Sequence, residues 1–283
     1  MSADPSSAAF CAELVRSHDF DRYASTLFVP ADKRRALLAL YAFNAEISRV
    51  REQVSQPLPG EIRLQWWTDA LAGNGHGDVA QNPVAAELLL AIRTHDLSID
   101  RLSKLIDAHI FDLYHDPMPD LAVLESHFRD TSSALFVSAA RILGDASEAS
   151  NHIAEHAGLA QGVVRVAARL PFDAARRQLY LPQDMLVQNG STAEEVFAGK
   201  ITPAIRATLD QLITGAREQL ATAEGMLAEI APSVRAAFLP LALVKHDLQR
   251  MAQPDHDPFA LYIRARLRTL WTLWRASRSL ASV

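Results

Sequence analysis

Across residues 32–54, apolar side chains recur three and four positions apart: Leu40, Phe43, Ile47, Val50 and Val54. This spacing lines up one stripe of an α-helix, which Pro57 and Pro59 end. The same periodicity predicts a helix over 61–72, stopped by Gly73, Gly75 and Gly77, and another over 83–94. Ser98 is placed to cap a helix reaching 114, and 115–119 reads as a turn. One or two helices follow over 121–143, then a long one over 147–170 that Pro171 should stop. Residues 172–190 read as broken and looped, with a short helix over 192–198. Further helices are predicted over 203–230, 232–251 and 259–279. No stretch alternates polar with β-branched residues, so no strand is expected. No repeat or linker interrupts the pattern. The chain therefore reads as one all-α domain over 1–283, with 1–10 frayed.

Composition agrees with a packed fold and removes several functions. The chain has 283 residues, 49% hydrophobic and 22% charged, which suits an ordinary globular core and excludes wholesale disorder. A net charge of −5 argues against a nucleic-acid partner. Cys11 is the single cysteine, which excludes an intrachain disulfide and a cysteine-based zinc site. Residues 1–10 contain Asp4 and no Lys or Arg, unlike a secretory or transit leader. No apolar run is long enough to span a bilayer. There is no glycine-rich phosphate loop, HExxH or GxSxG. His109 and His115 flank Asp112, with Asp107 near; the spacing reads as a solvated helix end rather than a metal site.

Two segments bear a resemblance. The first runs from His18-Asp19-Phe20 to Tyr41-Ala42-Phe43. The second joins Gly158-Leu159-Ala160-Gln161 to Gln178-Leu179-Tyr180-Leu181-Pro182. Trp66, Asn82-Pro83-Val84 and Asp112-Leu113 fall in order between them. Together they resemble the squalene/phytoene synthase family over about residues 10–275. The resemblance implies a single isoprenoid-synthase-type bundle around an apolar cavity. It also implies two aspartate clusters facing each other and holding Mg²⁺ against a diphosphate, because hard cations take oxygen ligands.

Here the cluster positions read Ser48, Arg49 and Glu52 on one side, and Arg165, Arg169 and Asp173 on the other. Three are arginines, which cannot ligate a cation. No catalytic residue and no metal are therefore assigned, and no cofactor is expected. Two roles stand open for the arginines. Glu46 or Glu52 pairs with Arg165 or Arg169 in place of a metal, or the arginines bind phosphate directly. Asn44, Gln161, Arg165, Arg169, Arg176, Arg177 and Tyr180 are the candidates for a cavity rim or phosphate site.

The degenerate pattern resembles the branch of the family that includes a mitochondrial assembly factor of complex I. That resemblance implies a non-catalytic role in assembling the membrane NADH dehydrogenase, with respiratory-complex partners. The alternatives are an active head-to-head prenyltransferase using Mg²⁺ and isoprenyl diphosphates, or a carrier of an isoprenoid or lipid. The expected setting is the bacterial cytoplasm, peripheral on the inner face of the membrane. From 259 to 283 there is no Asp or Glu, and Arg264, Arg268, Trp271, Trp274 and Arg275 are candidates for membrane contact. The other reading packs the apolar stripe on the bundle and leaves the arginines solvated.

Overall fold

A computed structural model describes residues 5–282 apart from positions 76 and 78; the side chains of 5 and 280–282 also lie outside the description. The chain begins with α1 (Pro5–His18) and α2 (Phe20–Thr26). The next elements are α3 (Ala31–Ser48), α4 (Val50–Gln53), α5 (Pro57–Leu71), α6 (Pro83–His95) and α7 (Ile99–Phe111). Then come α8 (Leu121–Phe128), α9 (Ala134–Ile142), α10 (Glu148–Ala175), α11 (Gln183–Gln188) and α12 (Ala193–Phe197). The chain closes with α13 (Pro203–Met226), α14 (Pro232–Arg235), α15 (Leu241–Met251) and α16 (Arg266–Ser282). No strand occurs among the described residues.

Two helices organise the bundle. Every residue of α3 from Ala36 to Ala45 is buried, so this helix is enclosed on all sides rather than along one stripe. It packs against α1, α6 and α9. Helix α10 packs against α13, α9 and α15. A π-helical turn (Arg129–Ser133) joins α8 to α9 and lies against α10. Gly158 and Gly162 make that approach possible. A Cβ on Gly158 would lie 2.4 Å from the Ser133 backbone nitrogen, and one on Gly162 would lie 2.3 Å from the Phe128 ring. The two glycines are one turn apart on the same face, which explains the Gly158–Gly162 spacing physically.

Several boundaries differ from the periodic reading. Of the stretch 1–10 expected to fray, 1–4 lie outside the described residues and 5–10 are helical, with Cys11 and Val15 anchoring α1 in the core. Burial raises the Cys11 thiol to about 12. The helix predicted over 32–54 breaks at Arg49, so Glu52 comes from the short α4. Pro57 starts a helix at its first turn, where its missing N–H costs nothing. Pro171 does not stop α10, which continues to Ala175. One backbone hydrogen bond is lost there, but Leu170, Asp173 and Ala174 are buried around it and hold the last turn. The final helix begins at Arg266 rather than 259, because Arg264 is drawn between Asp21 and Asp247 from irregular backbone.

Candidate functional site

Helix α10 presents Arg165, Arg169 and Asp173 at successive turns, facing Asn44 and Ser48 of α3 and Glu52 of α4 across two adjoining pockets. The continuation past Pro171 is what puts Asp173 in this row. Arg169 bridges the two helices: its Nη2 donates to Glu52 Oε1 at 3.1 Å, and its Nε lies 3.6 Å from Asp173 Oδ1. Arg49 Nε is 4.0 Å from the same Glu52 carboxylate. Glu46 does not take part in these pairs. Desolvation raises the Asp173 carboxyl to about 6; Arg169 pulls against this rise and the neighbouring Asp112 adds to it.

The outer pocket has a volume of about 460 Å³ and is walled by Asp19, Arg22, Asn44, Arg49, Gln161 and Asp247 among others. Arg22 ties it together by donating to Asp19 Oδ2 and to Gln161 Oε1, each at 2.8 Å. Asn44 is buried, and its Oδ1 has no hydrogen-bond partner.

The inner pocket is smaller, about 60 Å³, and holds a polar network that the spacing of His109 and Asp112 did not disclose. These residues are not solvated. His109 is 3% exposed, and its Nδ1 lies 2.6 Å from Asp112 Oδ2. The Tyr180 hydroxyl donates to Asp112 Oδ1. Gln178 Nε2 donates to the Asp112 carbonyl at 3.1 Å and to the Tyr180 oxygen at 3.0 Å. Burial works against ionising Asp112, but the hydrogen bond from His109, the two nearby imidazoles and the Tyr180 hydroxyl outweigh it and hold the carboxyl at about 2. Burial, with the Asp112 charge, drives the Tyr180 phenol well above its ordinary value. Desolvation takes His127 down to about 4, with His109 and Arg165 adding to the effect. His109 Nε2 is buried and has no partner.

Arg165 lines both pockets and makes no hydrogen bond or ion pair among the described residues. Desolvation, then repulsion from Arg22, lowers its pKa. Arg176 and Tyr180 line the inner pocket, whereas Arg177 does not join them. Arg177 pairs with Glu194 and lies over the Phe197 ring, pointing away from the site.

This donor set does not suit Mg²⁺. Arg169 stands between Glu52 and Asp173, the two carboxylates among the six cluster positions. Among the described residues no three His, Cys, Asp or Glu side chains gather at a metal site. The space between α3 and α10 joins these charged and polar groups to an apolar wall that includes Phe128, Val164, Val166, Leu243 and Val244.

The squalene/phytoene synthase family matches this sequence over residues 15–275. The chain belongs to that family. A rat (Rattus norvegicus) relative, NADH dehydrogenase (ubiquinone) complex I assembly factor 6, is 29% identical over 255 residues, covering 90% of this chain and 77% of the relative. Tomato (Solanum lycopersicum) chloroplastic phytoene synthase 2 is 25% identical over 259 residues, covering 88% and 82%. A ligand-bound dehydrosqualene synthase superposes with a TM-score of 0.82 over 98% of both chains at 14% identity. Squalene synthase from Alicyclobacillus acidocaldarius gives 0.70 over 97% of this chain and 94% of its own, at 18% identity. At such identities the structural likeness speaks for the fold, which is the family's all-helical bundle.

At the C-terminus, Leu273 is buried against α2 and α15, while Trp271 and Trp274 face outward. Arg264 is not available to a membrane. It is buried and paired with Asp21 at 2.7 Å and with Asp247. No helix among the described residues is long and apolar enough to cross a bilayer.

Proposed function

We propose that this chain is a non-catalytic member of its family that acts in assembly of the membrane NADH dehydrogenase. The observation that carries this reading is Arg169 lying between Glu52 and Asp173. A guanidinium cannot bind a cation, and this one takes up the carboxylates that a metal would need. The relatives named as complex I assembly factors support the same direction. On this reading the chain needs no metal and works through protein or lipid contacts. A bacterial cytoplasmic setting, at the inner face of the membrane, is part of the proposal.

The test is made in cells lacking the chain. Assembled complex I on native gels and NADH:ubiquinone activity should fall, and wild-type chain should restore both. A folded Glu52→Gln variant should restore them as well. Product formed from isoprenyl diphosphates and Mg²⁺ by the purified protein, lost in that variant, would overturn the reading.

A second reading is favoured by Arg165. A half-buried guanidinium that forms no ion pair among the described residues is arranged for an anion such as the headgroup of a carried lipid or isoprenoid. Titration of inorganic diphosphate without metal into wild type and Arg165→Met tests it. Binding that the variant loses supports a carrier; no heat in wild type removes it.

A further inference from the structure

We infer that the segment from Leu261 to Arg278 docks on the headgroup layer of an anionic lipid bilayer.

Helix α16 is held to the bundle by one face only. Leu273 is buried there, with Leu270 and Ala276 packed around it against Phe20, Phe28, Leu239 and Leu243. Thr269 donates from its hydroxyl to Asp21 at 3.1 Å, and the Arg264 clamp fixes the chain just ahead of the helix. The inner face is therefore satisfied, and what remains outside is not a core stripe that failed to find its partner.

The outer face is apolar. Leu267, Trp271 and Trp274 fall at i, i+4 and i+7 on one line of the helix. Leu267 is 81% exposed and Trp271 58%, and the two indoles stack at 5.0 Å between centroids. Ahead of the helix, Ile263 is 92% exposed, with Leu261 and Tyr262 beside it. These side chains extend the apolar line beyond the helix start.

Charge names the occupant. Arg268 and Arg275 are seven residues apart, two turns along the same edge, flanking the tryptophan line. Arg278 lies over the Trp274 ring at 4.2 Å, and Arg266 over Phe20 at 4.8 Å. From 259 to 283 there are five arginines and no acid, in a chain whose net charge is −5; with Arg264 taken up by Asp21 and Asp247, Arg266, Arg268, Arg275 and Arg278 carry the outward charge. An acidic protein that gathers cations beside its most exposed tryptophans is complementary to a surface with negative charge at the rim and hydrocarbon just beneath. Tryptophan settles at the headgroup level, and arginine stems can reach back to phosphate. A helix of 17 residues is about 25 Å long, and with this many arginines it lies in the interface rather than across it.

The inference does not depend on a role in complex I assembly, because it is read with purified full-length protein and lipid alone. Flotation is measured with vesicles of phosphatidylcholine and of phosphatidylcholine mixed with phosphatidylglycerol. The proteins are wild type, the double variant R268E/R275E, and the double variant W271S/W274S. Wild type should favour the anionic vesicles by at least roughly tenfold at low salt, an attraction that fades as salt screens it. Either double variant should lose roughly tenfold or more of that partition. Tryptophan emission of wild type should shift to the blue on anionic vesicles. All the substituted side chains are exposed, and circular dichroism confirms that the variants remain folded. Equal flotation on both vesicle types, absence of wild type from anionic vesicles at low salt, or unchanged binding by both double variants would each overturn the inference. Capture of a protein through this face, with no flotation, counts as the same refutation.

Discussion

Arginine does opposite work at the α3–α10 pockets and on α16. Between the helices, Arg169 gathers Glu52 and Asp173, and Arg22 gathers Asp19 and Gln161. Each guanidinium there is judged by its partners. On α16 Arg266 and Arg278 lie over aromatic rings, and Arg268 and Arg275 are exposed beside the tryptophan line. The difference is solvent. A buried charge is destabilising unless it is paired, whereas a surface charge is nearly free and is available to something else. Arg264 sits at the border and follows the buried rule.

The sharpest way to break the comparison is therefore at Arg264. Changing it to Met leaves Asp21 and Asp247 facing each other without their shared cation. Loss should be about 3–5 kcal/mol of unfolding free energy, the range for breaking a buried pair. Urea denaturation at neutral pH measures it. A loss under roughly 1 kcal/mol would place this arginine with the surface group instead.

The next effect is read in pH. His127 has its pKa lowered to about 4 from an ordinary 6.5. The unfolded chain takes up this proton first as pH falls, so stability drops between about pH 6.5 and 4. Asp173, raised to about 6, works in the other direction over roughly the same interval, because its folded form protonates first. Asp112, held at about 2, contributes loss only as pH falls below its ordinary 3.8. Replacing His127 by Gln removes the first of these. The wild type should lose on the order of 2–3 kcal/mol more than the variant between pH 7 and 4.5. Parallel curves would mean that His127 is solvated in the folded protein.

The inner pocket was the least legible part of the sequence. Periodicity places Arg165 and Arg169 on one face of the predicted helix, but adds Asp173 to that row only if α10 survives Pro171, and a proline in that register argues against it. His109 and Asp112 looked like a helix end in water because a spacing of three says nothing about burial. Their network needs Gln178 and Tyr180, which arrive from a loop about seventy residues later. One signal was present: Asp112 and Tyr180 both lie in motifs that carried the resemblance, and two such motifs often converge in space. The all-helical class and most helix positions were legible, because glycine, proline and cap residues such as Asn82, Ser98 and Thr202 mark ends locally. A pairing of Glu46 or Glu52 with Arg165 or Arg169 was one of two readings open in the sequence, since residues one turn apart on facing helices leave few partners, and Arg169 with Glu52 is the pair that forms. The choice of Arg169 over Arg165 was not legible, because it depends on where α4 leaves α3.

Those two arginines sharpen the comparison by the sign of a smaller change. Arg169→Met should destabilise by about 1–2 kcal/mol, because Glu52 and the buried Asp173 lose their cation. Arg165→Met should be neutral or stabilising by about 1 kcal/mol in buffer free of phosphate, because it removes a half-buried charge that forms no ion pair among the described residues and keeps an apolar stem. Adding diphosphate should reverse the order only if Arg165 holds it. Two variants that destabilise alike would show that Arg165 has a partner in solution.

The smallest expected change lies on α16. R268E/R275E should alter unfolding free energy by no more than about 0.5 kcal/mol, the usual range for surface substitutions away from caps and cores. Arg268 falls in the first turn of α16, where the helix dipole favours a negative side chain, so its reversal even adds a slight stabilisation. Arg275 lies mid-helix, beyond the reach of either terminus. Its nearest apolar neighbours, Trp271 and Trp274, keep their mutual stacking without it. This pair of reversals therefore leaves the fold untouched while inverting the charge that faces outward. Four residues upstream of Arg268, Arg264 is the same side chain with the opposite expectation, several kcal/mol against a few tenths. If thermal unfolding of R268E/R275E fell as steeply as that of Arg264→Met, the arginines of α16 would be part of the bundle's own charge pairing, and the distinction between the inner and outer sets would be lost.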